Sequence, residues 1–257
     1  MKSCVVGGKR IEYVCLSSSH PRENAPAMVF LHEGLGSAAM WRDFPQQVAD
    51  ACGCEAVLYS RHGYGRSQPL DEPRRPDYLH REALVALPAF LAQLHIERPI
   101  LFGHSDGGSI ALIHAGAGHW PVAAAIVMAP HEMVEEVALE GIRKARQAWL
   151  DTDLRKRLAT YHTDPERVFF DWSDTWLSAE FRDWNIDDYL APIACPVLAI
   201  QGEDDEYATM EQIDRIGRHC RDAELVKLAD CRHSPHKDQP QQVIAAVAGF
   251  VERAIGW

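Results

Sequence analysis

Residues 103–107 read Gly-His-Ser-Asp-Gly, so Ser105 has a glycine two positions before it and another two positions after it. A serine hydroxyl is a weak nucleophile in water. It becomes a useful one when a base takes its proton and hydrogen-bond donors await the oxyanion it creates. A sharp strand-to-helix turn exposes such a hydroxyl, and small residues at both flanking positions relieve the crowding of the backbone there. Gly103 and Gly107 meet that need. The turn also demands a strand before it and a helix after it. Arg98-Pro-Ile-Leu-Phe102 reads as a short buried strand, and Gly108-Ser-Ile-Ala-Leu-Ile-His-Ala115 as the apolar start of a helix. An ordinary glycine-rich turn would carry the same five residues, but the flanking elements favour the nucleophile.

A serine of this kind needs a histidine base and an acid to orient it, and on a strand-turn-helix scaffold the chain order is Ser, acid, His. Val197-Leu-Ala-Ile-Gln-Gly-Glu-Asp-Asp205 is an apolar run that ends in acidic residues. Ala229-Asp-Cys-Arg-His-Ser-Pro-His236 follows the last candidate strand. Of the thirteen histidines, His233 is singled out by that order. His236 reads as a brace for the same loop, His104 as a structural residue within the turn, and His114 and His119 as packing or solvent-facing positions.

The elements that must position these residues follow from the apolar pattern. Strands are expected at Ile11–Ser17, Ala27–His32, Glu55–Ser60, Val122–Ala129, Cys195–Gly202 and Glu224–Leu228. Helices are expected from Ser37 to about Ala51, from about Tyr78 to Ile96 with a kink or late start at Pro88, near Met210–Cys220 and from about Gln239 to Ala254. Alternation of this kind implies a mostly parallel sheet covered by helices on both faces. The rhythm breaks between about His131 and Pro192, where the chain is helical, charged and rich in aromatic residues. The expected organisation is therefore a core of residues 1–130 and 193–257 with a helical cap inserted at 131–192.

Composition narrows the function. At 257 residues, 47% hydrophobic and 25% charged, the chain suits one α/β domain of ordinary globular character. A net charge of −11 argues against a nucleic-acid partner. No apolar run approaches the roughly 18 residues of a membrane span, and the first residues lack the apolar core of a secretory leader. The seven cysteines show no Cys-x-x-Cys spacing. Cys52 and Cys54 read as reduced, half-buried thiols, which with the missing leader leads to the expectation of a cytoplasmic protein. No metal is implied: the acidic cluster Glu203–Glu206 sits at a strand end, where a triad acid belongs. The glycines of Arg61–Ser67 lack the spacing of a phosphate loop. The oligomeric state stays open.

Taken together, Leu31-His-Glu-Gly-Leu-Gly-Ser37, Ser60-Arg-His-Gly-Tyr-Gly-Arg-Ser67, Gly103–Gly107, Gly202-Glu-Asp-Asp205 and Arg232-His-Ser-Pro-His236 make the chain resemble the α/β-hydrolase superfamily along nearly its whole length. Its small capped members, carboxylesterases and carbon–carbon bond hydrolases, are the most similar. The resemblance implies a Ser105–His233–Asp205 triad, because the acid in such enzymes usually lies three residues after the strand-end glycine; Asp204 is the alternative. It places His233 in a Gly-His-x-Pro-His pattern whose glycine is here Arg232. It also implies an oxyanion hole made by the Asp106 amide and a second amide from His32-Glu33-Gly34-Leu35-Gly36, where relatives carry His-Gly-x-x-Gly. Gly34 is favoured, with Glu33 as the alternative. A carboxylate there would need to point away or to pair with a cation such as Arg61 or His62.

The expected activity is hydrolysis of small to medium, largely apolar carboxylic esters without a cofactor. Thioesters, lactones and vinylogous diketones are the alternatives. Dehalogenases and epoxide hydrolases carry Asp where Ser105 stands, haloperoxidase-like activity would need an acid cofactor, and a ligand receptor without catalysis is a further alternative. Most of the aromatic residues of the insertion should form its own core, with Trp172, Trp176 and Trp184 the candidates to line a pocket beside Glu33.

Overall fold

The computed structural model describes residues 1–256, so residue 257 of the expected core lies outside the described residues. Eight strands form one sheet: β1 (Lys2–Val6), β2 (Lys9–Leu16), β3 (Met28–Leu31), β4 (Ala56–Tyr59), β5 (Ile100–His104), β6 (Ala124–Met128), β7 (Val197–Gly202) and β8 (Ala223–Leu228). Their spatial order is β1-β2-β4-β3-β5-β6-β7-β8. The β1–β2 and β2–β4 pairs are antiparallel and the remaining pairs parallel. Strands covered on both faces read as unbroken apolar runs. Met-Val-Phe-Leu in β3 and Ala-Ala-Ile-Val-Met in β6 are buried at every position.

Helices cover both faces. They are α1 (Phe44–Cys52), α2 (Tyr78–Arg81), α3 (Leu87–Gln93), α4 (Asp106–Ala117), α5 (Glu136–Asp151), α6 (Leu154–Tyr161), α7 (Pro165–Leu177), α8 (Asp187–Leu190), α9 (Glu211–His219), α10 (Pro235–Asp238) and α11 (Pro240–Ile255). Helix α4 is buried from Asp106 through Gly116 and so carries no polar stripe. Between β6 and β7 the chain is helical, with a lone bridge between Met133 and Asn185. In that segment α7 packs on α5 and α6, while α8 lies on α4. Among the described residues no helix is long and apolar enough to cross a membrane.

Several expectations need correction. Strand β1 was not anticipated. The helix expected from Ser37 is a 3₁₀ turn (Ala38–Trp41) followed by α1, separated by Arg42 at φ +54°. The helix expected from Tyr78 to Ile96 is interrupted by a π turn at Glu82–Ala86 before α3 starts. Pro88 explains the interruption, since it lacks an N–H and its ring would strike the carbonyl four residues earlier. Cys52 and Cys54 are free thiols that are fully buried rather than half-buried.

The turn at Ser105 joins β5 to α4. Ser105 sits at φ +52°, ψ −120°, a backbone state that L-residues rarely adopt. Its N–H donates to Met128 O at 2.9 Å, and its own carbonyl accepts from Gly108 N–H at 2.8 Å. A Cβ on Gly103 would collide with the Gly107 carbonyl, and one on Gly107 with the Leu31 carbonyl. Both obstacles are backbone and cannot swing aside. Gly107→Ala is therefore expected to lower stability by about 3 kcal/mol or more. Urea unfolding checks this; a loss below about 1 kcal/mol would mean the turn relaxes without cost.

Candidate active site

The sheet brings the ends of β5, β7 and β8 to one edge, and with them Ser105, Asp205 and His233. Ser105 Oγ lies 3.0 Å from His233 Nε2. His233 Nδ1 lies 2.9 and 3.0 Å from the two oxygens of Asp205. The carboxylate accepts, so Nδ1 carries the proton and Nε2 is free to accept from the serine hydroxyl. Asp205 is fixed in turn by the Tyr207 N–H, which donates to Oδ1 at 2.8 Å. Glu206 accepts from the His233 N–H at 3.2 Å. Asp204 is exposed and makes no part of this chain; its N–H donates to Cys231 O.

Electrostatics follow the geometry. Burial works against a charge on His233, but the Asp205 carboxylate, by charge and by hydrogen bond, more than offsets it and raises the imidazole above its ordinary value. Burial likewise opposes ionisation of Asp205, and His233 and the Tyr207 amide hold it below the usual carboxylate range. His236 is different. It packs against Trp41, Phe44 and His104, with ring centroids 5.0, 5.5 and 4.9 Å away. Burial pushes it down to about 2, so it stays neutral near pH 7.

The loop after β3 and the elbow are tied together by Arg61, whose side chain is wholly buried. Its Nη2 donates to the Glu33 carbonyl at 3.0 Å and pairs with Asp106 Oδ2 at 3.4 Å. Asp106 Oδ2 also accepts from Tyr78 at 2.8 Å, and the Tyr78 hydroxyl accepts from Trp176 Nε1 at 3.0 Å. Arg61 thus anchors the two segments that carry the Gly34 and Asp106 amides. Neither Arg61 nor His62 pairs with the Glu33 carboxylate. Its neighbour is His104 Nδ1, 3.6 Å from Oε2. Burial opposes the charge on Glu33, yet His104 holds the carboxyl well below its usual range. His104 Nε2 donates to the His233 carbonyl at 2.7 Å, so this ring links Glu33 to the loop of His233.

A cavity of about 180 Å³ opens beside Ser105 and His233, with Glu33, Gly34, Leu35, Trp172 and Trp176 on its walls. Gly34 lies directly under the Trp172 indole, where a Cβ would strike Nε1. Trp184 is not among the lining residues. It stacks on Phe181 at 5.1 Å and leans on Trp176 at 6.1 Å, which makes it part of the helical segment's own packing. Trp149 and Phe169 stack at 4.4 Å in that same interior. His162 pins the segment to the sheet side: Gly65 N–H donates to its Nδ1 at 2.9 Å, and its Nε2 donates to Leu35 O at 3.0 Å. Sequence reasoning missed His131 and Tyr207, which also line the cavity. His131 directly follows β6 and Pro130, and the ends of parallel strands are where ligands bind; that signal was present.

Fold and site together describe an α/β hydrolase, and comparison with known proteins agrees. A family model described as the alpha/beta hydrolase family matches residues 28–247, so the chain belongs to that family. It is similar to a human protein named serine hydrolase BPHL, 28% identical over 189 residues, which cover 70% of this chain and 63% of that relative. The match thus spans less than two thirds of that relative's length. A proline iminopeptidase from Lactobacillus delbrueckii subsp. lactis is 29% identical over 100 residues, 39% of this chain and 34% of that protein. Among solved structures, the enol-lactonase from Burkholderia xenovorans LB400 superposes with a TM-score of 0.76 at 20% identity, covering 97% of this chain and 99% of that one. A thermophilic esterase from Thermogutta terrifontis does so with a TM-score of 0.76 at 17% identity, covering 99% of each chain. These last two likenesses concern the fold.

Proposed function

We propose that the protein is a serine hydrolase that cleaves carboxylic esters of small, largely apolar substrates through an acyl-enzyme. The observation that carries this reading is the unbroken hydrogen-bonded chain from Ser105 through His233 to Asp205, set beside a cavity of about 180 Å³. Ser105 Oγ attacks the ester carbonyl as His233 Nε2 takes its proton. Asp205 holds the Nδ1–H tautomer and stabilises the imidazolium. The oxyanion is received by the amides of Asp106, at the N-terminus of α4, and Gly34. His233 then protonates the departing alkoxide, and water, activated by the same imidazole, releases the acid and restores Ser105. In this reading residues 131–192 act as the cap over a core of 1–130 and 193–257, with Trp172 and Trp176 as roof.

The experiment that tests it is a panel of p-nitrophenyl esters of increasing acyl length, run beside a lactone, an amide and a ring-cleavage dienoate. Highest kcat/KM on a short-chain ester supports the proposal. Highest kcat/KM on the lactone, amide or dienoate would replace ester cleavage by that reaction.

The pH profile is a second test. His233 must be neutral to accept the serine proton, and Asp205 raises its proton affinity. kcat/KM is therefore expected to rise with pH through one group above the ordinary imidazole value of about 6.5. His236 contributes no step, because burial keeps it neutral throughout the neutral range. His236→Gln should retain the profile at reduced activity, whereas His233→Gln should be nearly inactive at every pH. The reverse pattern would make His236 the base.

A further inference from the structure

One polar group in the cavity has no task in the mechanism above. His131 is 3% exposed, and its backbone is fixed twice by Ser109 of α4, whose Oγ donates to the His131 carbonyl and accepts from its N–H at 3.1 Å. Its ring stands edge-on to Trp176 at 4.9 Å and 5.7 Å from the His233 ring. Nδ1 is enclosed without a hydrogen-bond partner among the described residues, whereas Nε2, which also bonds to none of them, is not enclosed, and the residue lines the cavity. No described protein group completes Nε2, so it is left to water or to a ligand. A rigidly held imidazole with one unpartnered, unenclosed nitrogen beside a binding cavity is placed to bond a ligand atom that enters it.

The chemistry of that atom can be narrowed. Burial pushes His131 down to about 3, so the ring is neutral. Enclosing a lone pair is less costly than enclosing an N–H, which puts the proton on Nε2 and makes it a donor to the ligand. An anionic acceptor is disfavoured, because the ionised Glu33 carboxylate lines the same cavity. The geometry points to His131 as the residue that selects esters bearing an uncharged oxygen, hydroxyl or keto, within a few bonds of the scissile carbonyl. This inference rests on the ester-cleaving reading and adds a substrate class to it.

Ethyl butyrate, ethyl 3-hydroxybutyrate, ethyl 3-oxobutyrate and 2-hydroxyethyl butyrate, followed by proton release, test it with p-nitrophenyl butyrate as control. The native protein is expected to hydrolyse at least one oxygenated ester with kcat/KM about tenfold or more above ethyl butyrate. In His131→Phe that ratio should fall towards one, and in His131→Gln, whose amide can still donate, part of it should return. His131→Ala makes the same comparison if the Phe variant does not fold. Comparing ratios across variants removes any intrinsic reactivity of the oxygenated esters. A ratio near one in the native protein, or one that survives loss of the ring, overturns the inference while turnover of p-nitrophenyl butyrate leaves ester cleavage standing. If none of the five esters is turned over, ester cleavage itself fails and the inference falls with it.

Discussion

Ser105→Ala is expected to lose about four orders of magnitude or more in kcat on any ester the native protein cleaves. In the proposed mechanism the hydroxyl is the atom that bonds to the substrate carbonyl, and His233 Nε2 faces it at 3.0 Å. Folding should be unaffected. Ala and Ser both carry a Cβ, so the strain at φ +52° is the same for each, and the side-chain hydrogen bond lost is the one to His233. Circular dichroism and a melting curve check the fold; steady-state kinetics checks the loss. Residual activity above about one percent of native would mean that another group performs the attack.

Asp205→Asn should cost nearly as much, about 10³- to 10⁴-fold in kcat, while Asp204→Asn should stay within about threefold of native. Asp205 accepts from His233 Nδ1 through both oxygens and is itself held by the Tyr207 amide. An amide side chain can turn its NH₂ to Nδ1, which favours the tautomer with the proton on Nε2, where it blocks removal of the serine proton. It also withdraws the charge that raises His233, so any remaining activity should show its acid limb at lower pH. Asp204 points to solvent. The opposite ranking of the two variants would move the orienting acid by one residue.

How much of this was legible in the sequence depends on how local the signal is. The elbow was legible because its requirements are local: two glycines around Ser105, an apolar strand before and an apolar helix after. Chain order extended the reading to Asp205 and His233, because a parallel sheet delivers the ends of its strands to one edge, and the structure does bring those side chains within hydrogen-bond distance. Strand β1 was hidden by its exposed, mixed composition. The Gly7-Gly8 turn, at φ +56° and +79°, was the available sign of a hairpin. The partner of Glu33 was not legible at all. Its carboxylate pairs with His104 across a tertiary contact, while Arg61, one of the two candidate partners, is drawn to Asp106 by the packing of the loop after β4. Trp184 was misassigned for a similar reason. Aromatic spacing on the helical segment marks a buried face, but it cannot separate the face turned to the cavity from the face turned to Phe181.

The nucleophilic identity of Ser105 is tested most directly by covalent capture. A fluorophosphonate titrated against the native protein should be incorporated at one equivalent, with activity lost in proportion and the added mass located by peptide mapping on Ser105. His233→Gln should react far more slowly, because the hydroxyl then has no base. Full inhibition with the label on another residue, or continued ester turnover by protein whose Ser105 is quantitatively labelled, would contradict the account.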